Sequence, residues 1–171
     1  MSLTLIRHAS LGKKYQKRYI GWSDIDIDLN FWDQTKANEI KRLSFDSVYS
    51  STLVRAINTL KELGFKEFIL DDRLKEVAFK DHIEGKSFDE ISKLDTFDSK
   101  FLNSMDSWHR FICKEDKNSF YSRVESFLSE LPKEKEILIC THAGVIRVVG
   151  EILGHKIDNI DYLEMVKIWD I

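Results

Sequence analysis

The 171-residue sequence is poor in the residues that mark several whole classes of protein. It has only two cysteines, Cys113 and Cys140, which form no CxxC pair, so a disulfide scaffold and a cysteine zinc site are both excluded. Cys140 lies inside the apolar run EILICT, and both read as reduced, structural residues. A single proline, with no repeat and no low-complexity stretch, leaves no linker, which predicts one domain over residues 1–171. No apolar run approaches the length of a bilayer span. A first strand starting at Leu3 leaves no basic, apolar leader, so the expected location is the cytoplasm and no membrane partner is expected. The formal net charge of -3 provides no global basic field, which argues against nucleic acid as a partner.

With 43% hydrophobic and 32% charged residues, the chain has what one sizeable core needs. The apolar residues 3–6 read as a strand, followed by a polar loop to about Asn30. Residues 31–43 carry helical spacing, residues 47–49 read as a strand, and Thr52 is placed to cap a helix that runs to Leu63 and ends at Gly64. Residues 68–70 form a third strand candidate, and Ser87-Phe88-Asp89-Glu90 has capping-box form. Helical pattern continues in pieces over residues 97–108 and 120–131. Residues 136–141 form the clearest strand, residues 144–153 a helix closed by Gly154, and residues 162–169 alternate as a final strand. This order predicts an α/β fold of three layers, a mostly parallel sheet with helices on both faces.

In such sheets, functional groups gather at the carboxyl ends of the strands. Arg7-His8 ends the first strand, Ser50-Ser51 with Arg55 follows the second, and Thr141-His142 ends the strand at residues 136–141. Two histidines and two arginines thus reach one sheet edge. Guanidinium forks match phosphate oxygens, and a neutral imidazole is a competent nucleophile towards phosphorus when its other nitrogen is held as a donor. A second histidine can stabilise charge on the transferring group, so the inventory suits phosphoryl transfer with no metal and no cofactor.

The pieces LIRHA, YSSTLVRAINT, LKE, EG and THAGVIR, in this order, resemble the histidine phosphatase superfamily, with its phosphoglycerate-mutase-like fold. The resemblance implies that His8 becomes phosphorylated, that Arg7, Arg55 and His142 bind the phosphoryl group, and that Glu76 protonates the leaving oxygen. Lys14, Tyr19, Gly21 and Ala143 are expected to bind the remainder of the substrate. Short length and the piece YIGWSDIDIDL resemble the α-ribazole phosphatase branch, which implies hydrolysis of α-ribazole 5'-phosphate, with water as acceptor. The alternatives are a broad-specificity or phosphohistidine-protein phosphatase and a catalytically dead phospho-ligand binder. The expected partner is a small phosphorylated substrate, and the expected assembly a monomer or homodimer.

Two departures stand out. Ala9 occupies a position usually held by glycine, and EVAFKDHIEG replaces the more usual E, two residues, FGDWEG, with Lys80 for the glycine and one extra residue. Glu84 is therefore the alternative acid. Asp24, Asp26 and Asp28 mimic the start of a calcium loop but lack its glycine and its closing glutamate. GKKYQKR reads as a loop at the pocket mouth rather than a nucleic-acid grip, and His82, His109 and His155 have no metal-ligand spacing.

Overall fold

The computed structural model describes residues 2–169. Five strands form one sheet: β1 (Ser2–Arg7), β2 (Ser47–Ser51), β3 (Ile69–Asp71), β4 (Glu136–Thr141) and β5 (Met165–Trp169), in the order β3-β2-β4-β1-β5. Only β5 runs antiparallel to its neighbour. The alternation of side chains along the central strands explains why both sheet faces are covered. Leu3, Leu5, Ile137 and Ile139 face one layer, made by α4 (Met105–Ile112), α5 (Lys117–Ser129) and α6 (Ala143–Ile152). Ile6, Leu138 and Cys140 face the other, made by α1 (Gln34–Lys41) and α2 (Val54–Leu63). Each fully buried Leu or Ile contributes roughly 1.5–3 kcal/mol, which outweighs the weak local propensities and fixes β1 and β4 at the centre. The short helix α3 (Phe88–Ile91) starts with the expected capping box on Ser87 and Glu90.

Register is what positions the site. Arg7 pairs with Thr141 across parallel β1 and β4, and Ser50 pairs with Cys140 across β2 and β4. His8, His142 and Ser51 therefore emerge side by side at the same sheet edge.

Several boundaries differ from the sequence expectation, each through a distant partner. Helix α1 begins only at Gln34, because the Asp33 side chain accepts from the Thr35 and Lys36 amides and sets the start there. Thr52 caps nothing: its hydroxyl donates to Asp72, and the first amide of α2, on Val54, donates instead to Asp24 at 2.7 Å. The final strand starts at Met165 rather than 162, since Leu163 has a φ of 54 and turns its amide onto the Arg7 carbonyl at 3.1 Å. Both cysteines are buried and unpaired, and burial pushes the Cys113 thiol up to about 12.

Candidate active site

His8 is 5% exposed and continues the β1–β4 ladder, its amide donating to the Thr141 carbonyl at 3.0 Å. Its Nδ1 lies 2.7 Å from the Ala9 carbonyl oxygen. A carbonyl can only accept, so Nδ1 carries the proton and Nε2 keeps its lone pair. The His142 ring is 5.1 Å away, centroid to centroid. Arg55 Nε donates to His142 Nδ1 at 3.2 Å, which leaves His142 Nε2 to donate to Ser51 Oγ at 2.8 Å. Burial, the largest cause, and the charges of Arg55 and Arg7 hold both imidazoles well below 6.5, so both are neutral.

Arg55 is fully buried and also donates to the carbonyls of Gly21 at 2.6 Å and Ser23 at 2.8 Å. Thr59, one turn further along α2, donates to the Arg55 carbonyl and accepts from the Ala9 amide, so a single hydroxyl ties the helix to the His8 loop. Arg7 donates to the Ile160 carbonyl at 2.8 Å and stacks on Tyr162, its Cζ 3.9 Å from the ring centre. Among the described residues, Arg7 Nε is the one buried side-chain N or O atom with no hydrogen-bond partner.

Glu76 stands on the loop after β3. Its carboxylate accepts from the amides of Val77 at 3.0 Å and Gly144 at 3.1 Å, the latter in the first turn of α6. Glycine at 144 leaves room for the carboxylate, because an added Cβ would collide with Glu76 Oε1 and push it from where it now sits. Glu84 lies elsewhere: its Oε1 accepts from the amides of Gly21 and Ser23, so it pins the loop that carries the Arg55 acceptors.

These groups border a cavity of about 570 Å³. It is lined by Arg7, His8, Glu76, Ala143, Gly144 and Tyr162, together with Tyr19, Phe79, Trp108, Tyr121 and Arg147. Of the substrate residues expected from sequence, Tyr19 and Ala143 line it. Lys14 does not: it lies exposed with its ammonium over the Tyr15 ring. Gly21 also stands behind the wall, where an added Cβ would meet the Val77 carbonyl at 2.7 Å. Arg55 and His142 form the layer directly behind His8. Tyr162 and Thr59 escaped the sequence reading, Tyr162 because residues 162–169 alternate like a strand and Thr59 because a mid-helix threonine looks like any other. The three aspartates have individual duties, Asp24 at the α2 start, Asp26 on Asn58 and Asp28 on Asn30. No cluster of three metal-ligating side chains occurs among the described residues.

Fold and site together define an α/β protein whose two histidines and two arginines converge at the ends of parallel strands. The model of the histidine phosphatase superfamily (branch 1) matches residues 3–168, and the chain belongs to this superfamily, whose members are phosphatases or mutases. The sheet and its flanking helices have the phosphoglycerate-mutase-like fold. A phosphoglycerate mutase from Thermus thermophilus is 25% identical, over 99% of this chain and 93% of its own, with a TM-score of 0.72. The phosphoserine phosphatase of Entamoeba histolytica, solved in complex with 3-phosphoglyceric acid, is 26% identical over 97% of this chain and 89% of its own, with a TM-score of 0.74. The protein TTHB049 of Thermus thermophilus is 25% identical over 99% of this chain and 94% of its own, with a TM-score of 0.75.

Proposed function

We propose that this chain is a phosphomonoesterase that hydrolyses a small phosphorylated metabolite through a phosphohistidine at His8. One observation carries the reading: His8 lines the cavity with its Nδ1 locked on the Ala9 carbonyl, which leaves Nε2 for attack, and Arg7, which also lines the cavity, has an Nε with no partner. In the first step Nε2 attacks phosphorus and the P–O bond to the leaving group breaks. The departing oxygen takes a proton from Glu76, while Arg7 at the cavity wall and Arg55 from the layer behind His8 meet the charge on the phosphoryl oxygens, joined by His142 once its Nε2–H turns from Ser51 Oγ to the phosphoryl group. Each terminal nitrogen of Arg55 spends one N–H on a backbone carbonyl and keeps a second for this purpose. In the second step water attacks the phosphohistidine, gives its proton to Glu76, and releases inorganic phosphate with His8 restored.

The proposed substrate is α-ribazole 5'-phosphate. The piece YIGWSDIDIDL supports it, and so does a cavity far larger than one phosphate needs, with Tyr19, Phe79 and Trp108 offering faces and edges to a flat leaving group. A second reading has its own support. Arg147 lines the same cavity and makes no hydrogen bond or ion pair among the described residues, which suits a substrate carrying a carboxylate besides its phosphate. The buried, unpaired cysteines are consistent with a cytoplasmic enzyme. The test is hydrolysis of para-nitrophenyl phosphate, followed by kcat/KM on α-ribazole 5'-phosphate, phosphoserine and 3-phosphoglycerate. The expected result is turnover with α-ribazole 5'-phosphate ranked first. A higher rank for the two carboxylates moves the assignment to the second reading, and no turnover of any ester defeats the phosphatase reading itself.

A further inference from the structure

The loop that carries Glu76 has little regular structure of its own. It follows a three-residue edge strand and one 3-10 turn (Asp72–Leu74), and the stretch after it is the part of the sequence that departs from the family pattern. Its support comes from α5, through Arg123. Arg123 Nη1 donates to the Arg73 carbonyl at 2.5 Å and Nη2 to the Glu76 carbonyl at 3.1 Å, one contact on each side of Lys75. Nε and Nη2 also pair with the two oxygens of Glu115, at 2.6 and 3.0 Å. Glu115 Oε2 in turn accepts from the Ala78 amide, and the Ala78 carbonyl accepts from the amides of Lys114 and Glu115. From above, Trp22 Nε1 donates to the same Glu76 carbonyl at 2.8 Å. One guanidinium, only 16% exposed, thus holds the backbone at Arg73 and Glu76 directly and at Ala78 through Glu115.

We propose that Arg123 is a positioning residue for Glu76, aiming its carboxyl at the leaving oxygen through the Glu76 and Arg73 carbonyls and the Glu115 bridge. The inference rests on the reading of Glu76 as the acid. A plain ion pair joining α5 to the bend before it needs only the two bonds to Glu115. The two carbonyl bonds are surplus to that, and both fall on the Glu76 segment. Displacement of a reacting group by an ångström is enough to cost an enzyme much of its rate, so a loop without a ladder gains most from such a clamp.

The discriminating variant is Arg123→Lys, which keeps the charge on Glu115 but cannot reach both carbonyls with a fixed fork. Because kcat/KM reports steps through P–O cleavage, it is measured on an alkyl phosphate, whose departure needs a proton, and on para-nitrophenyl phosphate, whose departure does not. The alkyl ester should slow about 10-fold and the aryl ester less than about 2-fold. The aryl rate and the melting curve of the same preparation report that the variant is folded. If Arg123→Lys fails to fold, Glu115→Gln keeps an acceptor for the guanidinium and should give the same selective loss, at smaller amplitude. In a Glu76→Gln background, Arg123→Lys should add nothing on the alkyl ester. Equal losses on both esters, or a further loss in that background, would overturn the inference. If Glu76→Gln is itself unselective, the acid assignment fails; if Glu76→Gln is selective and Arg123→Lys is not, the positioning role alone fails.

Discussion

His8 and His142 are held by groups that lie on their own strand ends or one helix away, whereas Glu76 is held by Trp22, Arg123 and Gly144, drawn from three separate stretches of chain. The histidine side is also buried: His8 and His142 are 5% and 1% exposed and Arg55 is at 0%. Glu76 is only partly covered. The contrast teaches that strand register alone can fix a pair of imidazoles, because neighbouring parallel strands deliver consecutive residues to one edge. Glu76, on a loop outside that ladder, depends on long side chains instead.

The comparison breaks most visibly at its firmest point. His8→Ala removes the attacking nitrogen, and turnover of every ester should fall to the uncatalysed background; near-normal activity in this variant would take His8 out of the nucleophile role. Next in size is Glu76→Gln, which keeps shape but has no proton to give. Hydrolysis of an alkyl phosphate should slow on the order of 10²-fold or more, with a much smaller loss on para-nitrophenyl phosphate. Equal losses on the two esters would make Glu76 a structural residue of the wall. Gly144→Ala should mimic it weakly. The new Cβ would press on Glu76 Oε1, and because that atom ends a flexible side chain the fold survives while the carboxyl moves. A loss of roughly 10-fold confined to alkyl esters is expected. Retention of the full alkyl rate would show that the Gly144 contact is incidental.

How much of this was legible in the sequence follows the same division. RHA, SSTLVRA and THAG are contiguous, and each begins where an apolar strand ends, so the meeting of His8, Arg7, Arg55 and His142 at one sheet edge could be read from residue order, whereas the strand register could not. Cavity lining by Tyr19 was equally readable. Lys14 was not, since a basic loop next to a motif says nothing about which way its side chains turn, and here the ammonium settles over Tyr15. Nor was the support of Glu76: Trp22 and Arg123 carry no local pattern and meet only after the sheet and α5 are in place. The start of α2 failed for the same reason, its cap being Asp24 rather than Thr52.

The smallest expected effect concerns pH and stability. In the folded chain the two buried imidazoles titrate well below 6.5, held there first by burial and then by Arg55, with Arg7 adding to both. The unfolded chain binds protons near 6.5 that the folded chain refuses. Stability is therefore full above that value and declines as pH falls from it towards the folded values. Melting temperatures recorded from alkaline to mildly acidic buffer should drop below about 6.5, and His142→Gln should flatten the slope. An unchanged slope in that variant would mean that His142 is not the group responsible.

The central claim, covalent catalysis at His8, is tested most directly by trapping the intermediate. Wild-type enzyme is mixed with substrate carrying a radiolabelled phosphoryl group, quenched in alkali during turnover, digested and mapped. The expected result is a label on the peptide containing His8 that survives base and is lost in acid, as a phosphorus–nitrogen bond requires. Turnover with no such label on that peptide, or with the label on another residue, would contradict it.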